Sequence, residues 1–324
     1  MDIYVKKAII HQFSPDDTDL YLADKFLNIT PKIEEYLRKK IERVYSDEAR
    51  TGIFEEDNPF LEMISDDLLE TSVAVANRWK EEFVVSENQK TNDLVFIQSQ
   101  KKGWTIFAFL RIALRETLTH LGGEVDNPIK LTQNNLPGFG TGADEALVIN
   151  LQNRKYHLIE KRIKYNGTFL NYFSENLLQA QPKISPKKSI KALEKTAQKI
   201  AESFNTDDFQ FQSKVKSAIF NHIEEENKLS PEKLADDLFD DNLTARLSFI
   251  DQVKEAVPEP VTFEEIDASR QLKKFENQKL SLSNGIELIV PNNVYEDAES
   301  VEFILNDNGT YSILIKNIEE IQSK

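Results

Sequence analysis

The sequence predicts an α+β protein: an N-terminal antiparallel sheet with helices, followed by a helical region and a small C-terminal β-element. Up to about residue 165, apolar runs that are rich in β-branched and aromatic residues alternate with short turn signals. After Gly167, apolar residues recur at helical spacing, until strand-like runs return near the end. We therefore divide the chain into a mixed α+β domain at 1–180 and a helical region at 181–324 that a C-terminal β-hairpin element closes.

The N-terminal elements follow from local patterns. The alternation in IYVKKAIIHQF predicts the first strand, and a helix follows with Thr30 as cap and Pro31 in its first turn. A longer helix is predicted from Asn58 to about residue 83. The next strands are LVFIQSQ and WTIFAFLRI, which a lysine–glycine turn joins into a hairpin. The stretch ALVINLQNRKYHLIEKRI predicts a second hairpin.

The C-terminal part is predicted to be mainly helical. Helical spacing is present in FLNYFSENLL, in the lysine-rich segment after it, in residues 209–226, in SPEKLADDLF and in residues 243–256. PEPVTFEEID, with two prolines, indicates a linker or loop. Four strands then follow in KLSLS, GIELIVP, SVEFILND and TYSILIK. Asn308 and Gly309 predict a two-residue hairpin turn between the last two strands.

Composition limits the function classes. The chain has 324 residues, a formal net charge of −15 and no cysteine, so disulfides, iron–sulfur clusters and thiol chemistry are excluded. No window approaches the roughly 20 apolar residues that cross a bilayer, and MDIYVKKAII is too short for a secretory signal. We therefore expect a cytoplasmic protein. The negative net charge argues against unspecific coating of nucleic acid, so any such contact must be local.

Charge is unevenly distributed along the chain. Residues 154–199 contain 11 Lys or Arg and three Glu, whereas residues 224–267 contain 14 acids and four bases. Within KISPKKSIKALEKTAQK (183–199), four lysines recur every three or four positions and would form a ribbon beside the apolar stripe of a helix: Lys188, Lys191, Lys195 and Lys199. Such a ribbon is either a track for phosphates or an ordinary solvated face. The acidic flank, residues 224–267, would either form one pole of a bipolar binding surface or pair with the basic stretch 154–199 and mask it.

Motifs for catalysis or cofactors are weak. PGFGTGADEALV has the glycine spacing of a dinucleotide fingerprint, but a loop precedes it and a strand follows, which is the wrong order of elements. None of the four histidines has a metal-ligand spacing. A metal-dependent nuclease built on Asp144 and Glu160, with Lys161 or Arg162, lacks the usual acid-x-lysine spacing. We expect no catalytic residues, no metal, no cofactor and no enzymatic activity.

Aromatic residues near the lysine-rich segment have two interpretations. Phe169, Tyr172 and Phe173 recur at helical spacing and would stack on the bases of a single strand if they were exposed. Large aromatic residues are more often buried in a core. The pattern favours core packing.

Six stretches of the sequence together carry a resemblance to a known family. Two of them are signature-like, RVYSDEARTGIF (43–54) and RQLKKF (270–275). Between and after these two lie LVFIQSQKKGWTIFAFL, ADEALVINL, FLNYFSENLL and TYSILIKN. The stretches, their order and the mass of the chain resemble the bacterial 37-kilodalton nucleoid-associated protein family. The resemblance therefore spans essentially the whole chain.

The resemblance implies association with the bacterial nucleoid and DNA binding in the cytoplasm, without a recognised catalytic activity. It brings no established binding residues, so the basic middle is our own inference. We expect it to contact the phosphates of double-stranded DNA with weak sequence specificity. The candidate residues are Arg154, Lys155, Lys161, Arg162, Lys164, Lys187, Lys188, Lys191, Lys195 and Lys199. The alternative is a non-enzymatic adaptor that recruits DNA-processing proteins through its acidic helices; a homodimer is compatible with either function.

Overall fold

The protein folds into two compact units, Met1–Ser185 and Pro186–Lys324. The computed structural model describes residues 2–16, 18–84, 90–120, 129–165, 167–206, 208–263 and 265–322. The first unit contains an antiparallel sheet with helices, and the second contains helices and small hairpins. This arrangement confirms the predicted α+β class.

The first unit is built on a seven-stranded antiparallel sheet. The strands of this unit are β1 (Ile3–Ser14), β2 (Asp19–Tyr21), β3 (Arg50–Ile53), β4 (Asn92–Lys101), β5 (Trp104–Ala113), β6 (Arg115–His120), β7 (Ile129–Asn135), β8 (Glu145–Asn150), β9 (Lys155–Ile159), β10 (Ile163–Tyr165) and β11 (Thr168–Leu170). The helices are α1 (Pro31–Glu42), α2 (Pro59–Glu62), α3 (Leu68–Phe83) and the π-helix Phe173–Leu177. The sheet has the strand order β2-β1-β4-β5-β8-β9-β3, and β6–β7 and β10–β11 are separate hairpins.

Both faces of the large sheet are buried. In β4, Leu94 and Phe96 lie in the core that contains α3, whereas Val95 and Ile97 lie in the core that contains α1. Successive side chains of a strand point to opposite faces, so a sheet covered on both sides needs apolar residues at every position. This explains the continuous apolar runs of β4 and β5. The predicted turn between them is confirmed, with Lys102 and Gly103 at φ values of 51° and 85°.

The short strand β3 forms one edge of the sheet. Gly52 of β3 pairs with Tyr156 of β9, and a Cβ atom at position 52 would lie 2.3 Å from the Tyr156 Oη atom. Glycine therefore makes room for the tyrosine ring. On the outer side of β3, the backbone N–H of Lys183 donates to the carbonyl of Thr51 at 2.8 Å. The end of the first unit thus covers this edge.

A buried polar network joins the sheet to its helices. Arg111 Nε donates to Glu145 Oε2 at 2.7 Å, and Arg111 Nη1 donates to Asn92 Oδ1 at 2.9 Å. The Tyr172 hydroxyl donates to Glu145 and accepts from Trp79 Nε1 at 3.0 Å. Burial, together with the Glu145 charge, raises the pKa of Tyr172 well above its usual range. Such a network fixes the relative positions of the elements that it connects.

The second unit contains a helical core and three two-stranded antiparallel sheets. Its helices are α4 (Pro186–Ser203), α5 (Phe209–Glu226), α6 (Pro231–Leu238), α7 (Leu243–Ala256), α8 (Ser269–Phe275) and α9 (Asn292–Tyr295). Its sheets pair β12 (Lys228–Leu229) with β13 (Val261–Thr262), β14 (Asn277–Ser281) with β15 (Glu287–Pro291), and β16 (Val301–Leu305) with β17 (Tyr311–Ile315). Leu193, Ile219, Phe249 and Phe275 are buried in the shared core.

Two predicted helices differ from the structure. The single helix from Asn58 is instead α2 and α3, because Asp67 caps a new helix by accepting from the Leu69 N–H at 2.8 Å. FLNYFSENLL is not one helix, since it contributes strand β11 and then the π-helix. The Ser174 N–H donates to Glu160 Oε2 at 3.0 Å, and this contact joins residues 14 positions apart. The local sequence pattern does not predict it.

Two predicted connections also differ. The tip between β16 and β17 is not a two-residue turn: Asn306 N–H donates to the Thr310 carbonyl at 2.8 Å, which leaves three residues at the tip. Gly309 alone there has a positive φ, 79°, as a three-residue hairpin loop requires. PEPVTFEEID is not entirely a loop, because it contributes β13, and Val261 and Phe263 are buried.

Candidate nucleic-acid interface

Helix α4 carries the predicted lysine ribbon, which we define as Lys188, Lys191, Lys195 and Lys199. The opposite side of α4 is buried through Ile190, Leu193, Ala197 and other residues of the second unit's core. With 3.6 residues per turn, this spacing directs the ribbon away from the core. All four lysines are exposed. The lysine ribbon is therefore held in register by the packing of the helix beneath it.

The ammonium groups of the lysine ribbon remain available. Within the described part of the chain, Lys188, Lys191 and Lys195 make no ion pair or side-chain hydrogen bond. Lys199 Nζ donates to the neutral Gln252 Oε1 at 3.1 Å. Lys187 is also exposed. The ribbon thus presents positive charge that no nearby carboxylate in the described residues neutralises.

The other predicted basic residues belong to the first unit, and several of them have partners. Arg154 forms an ion pair with Glu56 at 2.8 Å, and Lys161 forms one with Asp144 at 3.1 Å. Arg162 Nη2 donates to the Phe169 carbonyl at 2.7 Å. Lys155 begins β9 and is half-buried, and Lys164 is exposed in β10. These residues are less available to phosphates than the lysine ribbon.

The glycine loop at 138–142 surrounds a buried lysine. Lys40 Nζ donates to the carbonyls of Pro137, Gly138 and Thr141 at 3.4, 2.9 and 2.5 Å. A phosphate-binding loop presents N–H donors, whereas these carbonyls point at a cation. Burial lowers the pKa of Lys40 to about 8. The loop is thus organised around an internal ammonium group.

The residues considered for nuclease chemistry are also engaged. Asp144 accepts from Lys161 and from the Ala113 N–H, while Glu160 binds Arg50 and Ser174. Burial raises the pKa of Glu160. No group of His, Cys, Asp or Glu suited to a metal is present among the described residues. The geometry gives no support to a metal-dependent nuclease.

The histidine and aromatic candidates are mainly part of the core. His11 is fully buried, its Nε2 lies 2.9 Å from Ser72 Oγ, and its Nδ1 accepts from the Ala23 N–H at 3.0 Å. Because Nδ1 is an acceptor, Nε2 donates to Ser72 and cannot take its proton. Tyr172 and Phe173 are fully buried, as core packing requires, but Phe169 lies in β11 and is 57% exposed, so the core-packing prediction is wrong for that residue.

Nearly the whole chain matches the model of one protein family. Residues 9–321 match the model of the NA37 family, described as nucleoid-associated protein YejK. The chain belongs to this family. The resemblance carried by stretches such as RVYSDEARTGIF and RQLKKF is thereby confirmed. A comparison with curated proteins gives no match.

The acidic flank of this NA37 protein is partly neutralised within the second unit. Within the described residues, three acidic side chains of the region 224–267 form ion pairs with bases on α5, α6 and α7: Glu226 with Lys233, Asp236 with Arg246, and Asp240 with Lys214. Asp237 Oδ2 also lies within hydrogen-bond distance of His222 Nε2, at 2.7 Å. None of these bases belongs to the lysine ribbon. These contacts join side chains that lie far apart in the sequence or on successive helices. Counting charges along the sequence therefore could not reveal which acids are paired.

One further feature of the NA37 protein concerns membranes. In the described ranges, no helix is both long enough and apolar enough to cross a bilayer.

Proposed function

We propose that this NA37 protein is a non-enzymatic, cytoplasmic DNA-binding protein of the nucleoid that contacts duplex phosphates through the lysine ribbon of α4. The observation that carries the proposal is the row of ammonium groups at Lys188, Lys191 and Lys195 on the exposed face of one helix, which have no ion pair with any residue that the structure describes. Lysine is suited to this role because its mobile point charge binds phosphate without reading bases. Binding is then weakly sequence-specific.

The charge of the rest of the molecule makes this a local contact. A net charge of −15 repels a polyanion at long range, but at 0.15 M salt the Debye length is only about 8 Å. A ribbon whose ammonium groups at Lys188, Lys191 and Lys195 have no carboxylate partner among the described residues can therefore attract phosphates at short range. Affinity should be modest and strongly dependent on salt.

The experiment is a triple neutralisation, K188Q/K191Q/K195Q, with duplex DNA affinity measured over a series of salt concentrations. Glutamine has nearly the same helix propensity as lysine, and the three positions avoid the buried side of α4. Each lost phosphate contact removes about 0.9 from the slope of log affinity against log salt, so the slope should flatten by about 2.7. Unrelated DNA sequences should lose affinity equally.

The matched control is K25Q/K32Q/K102Q, which changes the net charge equally. These three lysines are exposed and have no ion pair within the described residues. The control should leave the salt slope unchanged. Equal loss of affinity in both triples, or an unchanged slope in the ribbon triple, would show that the lysine ribbon is an ordinary solvated face.

The adaptor function is the second candidate. The acidic helices favour it only through side chains without an ion pair in the described part of the chain, such as Asp251 and Glu255 on α7, which are exposed. Protein partners that remain bound after nuclease digestion, and that are lost when these two acids are replaced by Asn and Gln, would support the adaptor function over direct DNA binding.

A further inference from the structure

An open cleft of about 890 Å³ lies in the second unit between the two C-terminal hairpins. The first wall is the β14–β15 hairpin, which contributes Leu280, Ile286 and Leu288. The second wall is the β16–β17 hairpin, which contributes Tyr311 and Ile313. The first turns of α5 complete the cleft. Each wall is an apolar face of a two-stranded sheet, and one side chain on each wall, Ile286 and Tyr311, is 51% and 53% exposed respectively.

Both walls are fixed to helix α5, so the cleft is preformed. The buried Gln278 of β14 donates to the Ser213 carbonyl at 3.2 Å and to Ser217 Oγ at 3.3 Å. On the other wall, the ring of Phe209 lies 5.2 Å from that of Phe303 and 5.3 Å from that of Tyr311. A cleft whose walls are held in this way loses little entropy when it is filled.

The charge of the cleft selects for an acidic occupant. Lys216 of α5 and Lys279 of β14 line it, and neither has an ion pair or side-chain hydrogen bond among the described residues. The nearby Lys214 is, by contrast, paired with Asp240 at 3.0 Å. Two unpaired cations beside apolar walls match a segment that combines isoleucine or leucine with glutamate or aspartate. Each hairpin also has strand edges available to an extended chain.

The chain itself carries a segment of this chemistry. After β17, the sequence KNIEEIQ (316–322) places two glutamates between two isoleucines. Ile318 is 52% exposed and Ile321 is 84% exposed, so neither is buried in its own molecule. Lys316 and Asn317 hold the start of the segment at the 298–300 turn, through bonds to the Ala298 and Glu299 carbonyls at 3.1 and 3.0 Å.

We propose that the cleft binds the 316–322 segment of a second copy of this chain, with Lys216 and Lys279 facing its Glu319 and Glu320. Exchange of identical segments gives a closed, symmetric dimer in which both clefts are filled. It buries the isoleucines that the single chain leaves in water. This self-association does not involve the lysine ribbon and does not depend on DNA.

The experiment is sedimentation equilibrium of the full chain without DNA, over a range of protein concentrations, with charge reversals on each side. K216E/K279E and E319K/E320K should each weaken dimerisation roughly three- to tenfold, because two exposed ion pairs become like-charge contacts. The quadruple variant K216E/K279E/E319K/E320K should restore dimerisation, because the ion pairs re-form with opposite signs. The control K228E/K273E changes the net charge equally at exposed lysines outside the cleft and should leave dimerisation close to that of the wild type.

A second variant tests the apolar contact. I318S/I321S removes side chains that are exposed in the single chain, so its thermal stability at low concentration should equal that of the wild type. Its dimerisation should weaken more than about tenfold, since two buried isoleucines are lost. Three results would each overturn the proposal: a wild type that stays monomeric, a dimer that forms equally well with I318S/I321S, or a quadruple variant that does not regain dimerisation.

Discussion

Replacing Gly52 with alanine tests the close approach of β3 to Tyr156. The added Cβ atom would lie 2.3 Å from Oη, 2.5 Å from Cζ and 2.8 Å from Cε1 of Tyr156. The ring cannot easily move, because it is 1% exposed and its centroid lies 4.4 Å from that of Phe54. The strands must therefore separate or the aromatic core must shift.

The expected cost of G52A follows from two opposing effects. Overpacking a buried site costs about 1–3 kcal/mol, and contact with a rigid ring indicates the upper end of that range. Replacing glycine also restricts the unfolded chain, which returns about 0.4–1 kcal/mol. We expect a net destabilisation of about 2 kcal/mol.

Tryptophan fluorescence during urea unfolding measures this change in the first unit alone. The protein has two tryptophans, Trp79 and Trp104, and both lie in that unit. The control G142A adds a Cβ atom that meets nothing within 4 Å, so its stability should stay within about 0.5 kcal/mol of the wild type. In a Y156L background, G52A should cost less than about 0.5 kcal/mol, because the phenol ring is absent. An equal cost in both backgrounds would refute the steric explanation.

Two further predictions concern buried bases of the first unit. Burial lowers the pKa of His11 to about 4, so the folded protein keeps it neutral while the unfolded chain takes up a proton below about pH 6.5. The contribution of neutral His11 to the free energy of unfolding is therefore complete above pH 6.5 and is lost as the pH falls towards 4. Urea midpoints against pH should fall less steeply in H11Q than in the wild type, and parallel curves would contradict this. K40M leaves the Thr141 carbonyl without a donor among the described residues, whereas Pro137 O still accepts from the Tyr36 hydroxyl and Gly138 O from the Thr141 N–H. It should lower the free energy of unfolding by about 1–3 kcal/mol, against less than about 0.5 kcal/mol for the exposed K32M. An unchanged K40M midpoint would argue against the role of that ammonium group.

Much of the fold could be predicted from the sequence because its signals are local. The apolar runs of β4 and β5 and the Lys102–Gly103 turn specify a hairpin without help from the rest of the chain. Helix α4 begins at a proline and repeats its apolar residues at helical spacing. By contrast, the π-helix depends on a contact with Glu160 that lies outside its own sequence pattern.

The candidate interface was predictable to a similar degree. The spacing of the lysine ribbon is a property of one helix, so its exposed face could be expected from sequence. The ion pairs of Arg154 with Glu56 and of Lys161 with Asp144 could not, because they join positions brought together only by the fold. The order of elements around the glycine loop predicts that no dinucleotide binds there, but it gives no sign that the loop encloses Lys40, which lies about 100 residues earlier.

The strand order of the large sheet affects how the chain folds during synthesis. Among the described strands, β3 lies at the edge of the sheet and pairs with β9 alone, so that Arg50 meets Leu158 about 100 residues later. At a ribosomal rate of about 5–20 residues per second, β3 waits roughly 5–20 s for its partner to be made. During that interval its backbone groups and the aromatic side chains around it stay unprotected. The first unit should therefore complete its sheet late, and nascent chains shorter than about 160 residues are the ones on which chaperones should act.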